Sequence, residues 1–343
     1  MCAMNKTIKY IVGIVFAAFF LWLSFSNVSI EEFRQATIGM SWSWLFPFSI
    51  ALTFSHYIRA ERWRLLLGDT TLVAHRSTLF AGVMFGYLIN IPFPRLGEIS
   101  RPMYVAKQLH ESNSKLLGTI VLERFIDVIS MLIIMALVAY FLLSDIDTLS
   151  RLLGVNLADS EVYSALFLNT WPLILLGMGL ITGVWVLYKR LTTTNLNSAW
   201  LLKIREIITQ FVEGLMSIKK LERPVLFVGY TVLIWVGYIT MMYIPFWMFD
   251  LPLKFDLGWA DAAILTMASA VALSIPTPGG IGSYHYFISY SLGILYMVPE
   301  PTGLAFATIT HAATLAMVIL VAPATLAVDK FLSLQREATA QNV

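Results

Sequence analysis

The sequence predicts an all-α membrane protein: about six full transmembrane helices plus two re-entrant helical hairpins in inverted repeats, with a cytoplasmic amphipathic helix. Three observations carry that prediction. Of 343 residues, 58% are hydrophobic and only 13% charged, against roughly a quarter charged in soluble domains. Several apolar runs approach or exceed the ~20 residues that a helix needs to cross a bilayer. Two shorter apolar runs each end at a Pro-x-Pro.

The rest of the composition narrows the function. Formal net charge is +2, so nucleic acid is not an expected partner. The lone cysteine, Cys2, excludes an internal disulfide and a cysteine-based metal site. Lys6 and Lys9 before Ile11 to Leu23 resemble a signal peptide. That run is long for one and more spans follow, so it is expected to be retained.

In chain order, the expected spans are Tyr10 to Phe25, Trp42 to Ile58, Leu116 to Leu143, Trp171 to Tyr188, Val225 to Phe249 and Gly303 to Val328. Ser77 to Ile91 covers only about 22 Å as a helix. It breaks at Pro92 and Pro94 and returns as the polar, basic Arg101 to Lys115. Asp261 to Ile275 is equally short and breaks at Pro276 and Pro278, turning back through Gly279, Gly280 and Gly282. Both read as re-entrant hairpins, which a membrane tolerates where broken backbone is buried in protein or lines a cavity. With the N-terminus inside, every Lys and Arg falls on the cytoplasmic side except Arg34, Arg151 and Lys254 outside and Arg124 within a span. Between Lys189 and Arg223, the positions Leu201, Ile204, Ile208, Phe211, Leu215 and Ile218 step by three and four. That pattern is an amphipathic helix, either on the inner surface beside anionic headgroups or packed as a connector.

Pro92-Phe93-Pro94 and Pro276-Thr277-Pro278 recur at nearly the same offset as Gly118 and Gly303, which open two long spans. Span, hairpin and span therefore form one unit present twice, about 42–143 and 225–328. An odd number of spans lies between equivalent points, so the copies face opposite sides, an arrangement that secondary transporters use for alternating access.

The segment Asn90 to Arg101 concentrates the candidate functional residues. Arg95, Glu98 and Arg101 lie where lipid is expected, and Glu123, Arg124 and Asp127 occupy one stretch of the next span. Charges at the bilayer centre cost on the order of 3 kcal/mol apiece on insertion scales unless they pair or line water. The six balance to zero and can pair among themselves. Arg59, Arg62 and Arg64 at the end of the second span, with Trp63 as an interfacial anchor, would make the pocket cationic if they fold over the hairpin. Planar guanidinium groups suit phosphate oxygens. The other reading is a structural ion network with flanking basic residues. The glycine turn Gly279 to Gly282 can hold an anion on backbone N–H groups or permit close packing. His285, His311 and His56 can exchange protons or be hydrogen-bonded core residues. No metal spacing, nucleophile elbow or phosphate-cradling loop is present. No cofactor or enzymatic activity is therefore expected.

Arg59-x-x-Arg62-Trp63, Asn90 with Pro94-Arg95-x-Gly97-Glu98-x-x-Arg101, Glu123-Arg124-x-x-Asp127 and Pro278-Gly279-Gly280-x-Gly282 together resemble a flippase-like integral membrane family. That family includes the transmembrane domain of lysylphosphatidylglycerol synthase, the multiple peptide resistance factor. The resemblance implies a protein of a prokaryotic inner membrane that binds or moves lipids, including aminoacylated phospholipids or polyprenyl-phosphate-linked sugars in relatives. Where that family often carries a glutamate, this sequence has His285, and no carboxylate role carries over. The aminoacyl-transferase domain of some relatives is not expected after Val328.

The resulting expectation is a translocase for an anionic, phosphate-bearing lipid, with both termini cytoplasmic. Arg95, Arg101 and Arg124, with Arg59 and Arg62, would hold the phosphate. Glu98, Glu123 and Asp127, with His285, would orient the arginines or carry a coupling proton. The alternative is a non-transporting lipid-binding subunit that presents lipid to a glycosyl- or acyltransferase. Expected partners are membrane lipids and, as a candidate, such a lipid-modifying enzyme.

Overall fold

A computed structural model describes residues 6–67, 75–142 and 199–341, together with Thr182. Among these residues there are helices and turns and no strand. The helix α1 (Lys6–Phe25) bends by 78° into α2 (Ile30–Thr37). Ser29 starts the new helix: its hydroxyl accepts from the Glu32 N–H, and the Glu32 carboxylate accepts from the Ser29 N–H. Then follow α3 (Leu45–Leu65), α4 (Arg76–Asn90), α5 (Gly97–Leu109) and α6 (Asn113–Leu142). The later helices are α7 (Ala199–Leu215), α8 (Pro224–Met248), the short α9 (Leu251–Phe255), α10 (Trp259–Ser274), α11 (Ser283–Tyr296) and α12 (Glu300–Gln341).

By length and composition α8 and residues Glu300–Arg336 of α12 can cross a membrane, and the bent α1–α2 pair passes as one further span. The helices α3 and α6 have spanning length, at 21 and 30 residues, but carry Arg59, Glu61, Arg62 and Arg64, and Glu123, Arg124 and Asp127. The expected span Trp171 to Tyr188 lies outside the described residues apart from Thr182. The predicted amphipathic segment contains α7, which packs against α6. There Gly214 sits beside the Lys115 carbonyl, with the Gly118 Cα 2.9 Å from where a Cβ would stand.

Two helix groups share one order: long helix, short helix, break, short helix, long helix. In the first, α3 to α6 bury Trp63, Leu79, Val83, Val105, Leu116 and Ile120 together. In the second, α8 and α10 to α12 bury Phe246, Leu265, Ile288, Leu292, Ala305 and Phe306. Phe48 and Leu52 of α3 meet Ile244 of α8, and Met84 of α4 meets Val318 and Ala322 of α12, which joins the groups. Lipid is as apolar as these side chains, so association depends on close packing and internal polar bonds rather than on expulsion of water. One such bond set centres on the buried Asp329 of α12. It accepts from Ser77 and Thr78 at 2.9 and 2.7 Å and from the Tyr104 hydroxyl at 2.7 Å, tying α4 and α5 to the last helix.

Each pair of short helices packs as a hairpin. The helix α4 stops because Pro92 and Pro94 cannot continue it. Asn90 Oδ1 then accepts the Gly97 N–H at 2.6 Å where α5 begins. A Cβ on Gly97 would collide with the Gly86 carbonyl, so the two glycines set how closely α4 and α5 lie. The second hairpin turns at Pro276 and Pro278 through Gly279, Gly280 and Gly282, with φ of 59°, 78° and 86°. Glycine takes this left-handed conformation without steric cost. The backbone of α1 lies against that turn, its Ala17 carbonyl 2.5 Å from where a Gly282 Cβ would stand.

Candidate functional site

The charged residues of the first helix group converge on α6. Arg59 and Arg62, three apart on α3, share a face. Glu123 and Asp127, four apart on α6, meet that face. Arg59 Nη1 lies 3.0 Å from Glu123 Oε1 and its Nη2 3.1 Å from Asp127 Oδ2. Arg62 Nη2 lies 2.6 Å from Asp127 Oδ1 and 3.6 Å from Glu123 Oε1. Arg101 of α5 grips both Glu123 oxygens, at 3.1 and 3.0 Å, the bidentate geometry that suits a planar guanidinium. Arg124 donates to Glu123 Oε1 at 3.1 Å and stands 3.7 Å from Asp127 Oδ2.

Aromatic and hydroxyl neighbours fix the arginines further. Arg101 lies over the Trp63 ring at 4.2 Å, and the Trp63 indole N–H donates to Thr119 at 2.8 Å. Arg59 donates to the Tyr238 hydroxyl at 2.7 Å, and Arg62 to Thr231 at 3.4 Å.

Burial makes this arrangement consequential. Arg62 and Glu123 are wholly inaccessible, and Arg59 and Arg101 nearly so. Arg124 is the accessible member, 38% exposed at its side chain. It lies beside the exposed apolar residues Val121, Phe125 and Val128 of α6, so the network reaches an apolar surface through it. Among the described residues four guanidiniums meet two carboxylates, leaving two positive charges in excess. The Nε groups of Arg59, Arg62, Arg101 and Arg124 also have no hydrogen-bond partner among the described residues. Buried ions carry a desolvation penalty of several kcal/mol each, offset only by good pairing. A bound anion would offset that penalty.

A second constellation lies where the hairpin tips meet. Arg95 Nη2 donates to the Ser274 carbonyl at 2.6 Å, and a Cβ on Gly279 would stand 3.4 Å from the Ile91 carbonyl. Behind the second tip, His285 Nδ1 accepts the Gly282 N–H at 3.3 Å. The His311 ring lies 5.3 Å from that of His285 and stacks on Tyr284 at 4.8 Å. Among the described residues His311 Nε2 has no hydrogen-bond partner. His56 stacks on Tyr87 at 4.2 Å.

The structure thus brings Arg59, Arg62, Arg101, Glu123, Arg124 and Asp127 into one network. It sets Arg95 and Glu98 apart from them: Arg95 reaches the other hairpin, and Glu98 enters no ion pair among the described residues. Arg64 faces away from the network, pairing with Glu61, which also takes Arg76. Thr231 and Tyr238 were not singled out from the sequence. Their signal is two polar residues seven apart, on one face of α8. No group of three metal-ligating side chains occurs among the described residues.

Residues 10–322 match the family described as Lysylphosphatidylglycerol synthase TM region. No curated protein and no solved structure matches significantly.

Proposed function

The chain belongs to the lysylphosphatidylglycerol synthase transmembrane-region family, and on that premise we propose that it is a non-enzymatic flippase for an anionic, phosphate-bearing lipid. The observation that carries this reading is the buried network with two uncompensated guanidiniums, open to an apolar surface at Arg124. A lipid headgroup approaching within the membrane meets Arg124 first. Its phosphate then competes with Glu123 and Asp127 for the guanidinium edges. When no lipid is bound, the two carboxylates hold the arginines in position.

In this reading α4–α5 and α10–α11 are re-entrant hairpins of two inverted repeats within about six spans, with both termini cytoplasmic in a prokaryotic inner membrane. The shared helix order, the meeting of the two tips and the distribution of basic residues support it. Separation at Arg95–Ser274 and Ile91–Gly279 would open the path to the second leaflet, with transport by alternating access. His285 and His311, behind the second tip, are the candidates for a coupling proton.

The test is headgroup transfer in proteoliposomes containing a fluorescent anionic phospholipid. Arg124→Ala and Arg101→Ala are expected to slow transfer at least tenfold, in line with loss of one charge-assisted hydrogen bond of about 1.5–3 kcal/mol. Unchanged transfer would remove both residues from the lipid path. Binding without transfer by the native chain would favour a lipid-presenting subunit instead.

A further inference from the structure

We propose that the groove between α3, α4 and α12 holds a glycerophospholipid with an anionic headgroup, at a site separate from the ion network on the opposite face of α3. The inference takes the membrane setting as given and does not rest on the carrier reading.

Phe46, Ile50, Thr53 and Tyr57 of α3, with Phe80 of α4 and Met317 of α12, line a groove of about 480 Å³. Steps of four, three and four keep the α3 members on one face. Arg59 and Arg62 point the other way, about 200° and 140° round the helix from Tyr57. The groove wall is apolar, because the Ser49 and Thr53 hydroxyls donate to carbonyls of their own helix at 2.7 and 2.9 Å. Phe46, Ile50 and Phe54 are exposed, so the groove opens sideways along α3, where a hydrocarbon chain can enter.

One end of the groove is cationic. Tyr57 and Phe80 meet edge-on at 5.7 Å. One turn farther along both helices, Glu61 takes Arg76 at 3.0 Å and Arg64 at 3.3 Å. Arg336 of α12 donates to Ser77, the neighbour of Arg76, at 3.2 Å. Asp329 accepts from Ser77, Thr78 and Tyr104, and Lys330 beside it is exposed. Four basic groups thus stand against two carboxylates among the described residues, and the Arg76 side chain is 63% exposed. Ile50 to Arg64 covers about 21 Å of helix, close to half of a bilayer that measures ~40–45 Å with its headgroups. A lipid whose chain follows the groove therefore sets its phosphate at Arg64 and Arg76, where guanidinium groups suit it. Because the groove is open along its length, this lipid exchanges with the bilayer and detergent strips it.

In the test, the photocrosslinker p-benzoylphenylalanine replaces Phe54 in the full chain, which is reconstituted in vesicles of equal phosphatidylcholine and phosphatidylglycerol. The same group in place of Val232, exposed on α8, samples the bulk lipid. Mass spectrometry identifies the headgroups captured. Phosphatidylglycerol is expected to be enriched at Phe54 over Val232 by at least about fivefold. Arg76→Gln, at an exposed side chain, and Arg64→Gln should each cut that enrichment by at least half, whereas Arg124→Gln should leave it in place. Equal headgroup ratios at the two positions overturn the proposal, since the groove then holds bulk lipid without selection, and so does the absence of any lipid adduct at Phe54. Enrichment that survives both Arg76→Gln and Arg64→Gln, or that is lost in Arg124→Gln, also overturns it. None of these outcomes depends on headgroup transfer, which tests the carrier reading by itself.

Discussion

Replacing Glu123 with glutamine is expected to destabilise the folded protein by about 3–5 kcal/mol, the cost of leaving buried charges without their partner. Glu123 is wholly inaccessible and lies within 3.6 Å of four guanidiniums. Glutamine keeps its size but removes its charge, leaving Asp127 alone against Arg59, Arg62, Arg101 and Arg124. Its amide N–H₂ would also point at guanidinium donors where an acceptor is needed. The thermal unfolding midpoint in detergent reads this loss directly. Glu98→Gln is the control, since Glu98 enters no ion pair among the described residues. A change within about 0.5 kcal/mol is expected there, as for substitutions away from a network. Equal midpoints for Glu123→Gln and the native chain would contradict the paired geometry.

The second large effect is expected at Gly97. An alanine Cβ there would run into the Gly86 carbonyl and stand 2.6 Å from Asn90 Oδ1. Neither is the free end of a flexible side chain, because Asn90 Oδ1 is held by the Gly97 N–H. The hairpin must therefore open, at a cost on the order of 1–3 kcal/mol or more for overpacking. Arg101 lies about one turn farther along α5, so its grip on Glu123 loosens too. Gly97→Ala should accordingly lose headgroup transfer as well as stability. Gly229→Ala makes the contrasting case. Among the described residues nothing lies within 4 Å of its Cβ position, and alanine is the better helix former by up to about 1 kcal/mol, so stability should hold or rise. A tolerated Gly97→Ala would mean that the α4–α5 packing is looser than the structure shows.

Much of the helix plan was legible because proline and length act locally. The short runs Ser77 to Ile91 and Asp261 to Ile275 correspond to α4 and α10, and their Pro-x-Pro breaks fall at the two hairpin turns. Val225 to Phe249 and Leu116 to Leu143 correspond to α8 and α6. Hydropathy failed at the end of α3. Trp42 to Ile58 was expected as the apolar span, yet the helix continues through Arg59, Arg62 and Arg64 to Leu65. Partners on α6 and α8, or on Glu61 in the case of Arg64, make those charges tolerable. Such partners are distant in sequence and leave no local trace.

The same limit applies to the site. The sequence gathers Arg95, Glu98, Arg101, Glu123, Arg124 and Asp127 by nearness in the chain. In the structure Arg59 and Arg62 of α3 meet Glu123 and Asp127 instead, whereas Arg95 sits in the turn, at φ 63°, and donates to the opposite hairpin. The net charge of the cluster therefore changes from zero to two positive charges in excess once Arg59 and Arg62 replace Arg95 and Glu98. Asp329 escaped notice because a lone carboxylate at the end of an apolar run looks like a solvated flank. Only the structure shows it holding Ser77, Thr78 and Tyr104.

Native mass spectrometry of the purified chain tests most directly whether the guanidinium network holds a lipid phosphate. The native protein is expected to retain one phosphate-bearing lipid that survives detergent exchange, and Arg124→Gln, which alters only the exposed edge of the network, should lose most of it. Equal lipid occupancy in the two proteins, or no phosphate-bearing lipid on the native chain even after it is supplied, would contradict the account.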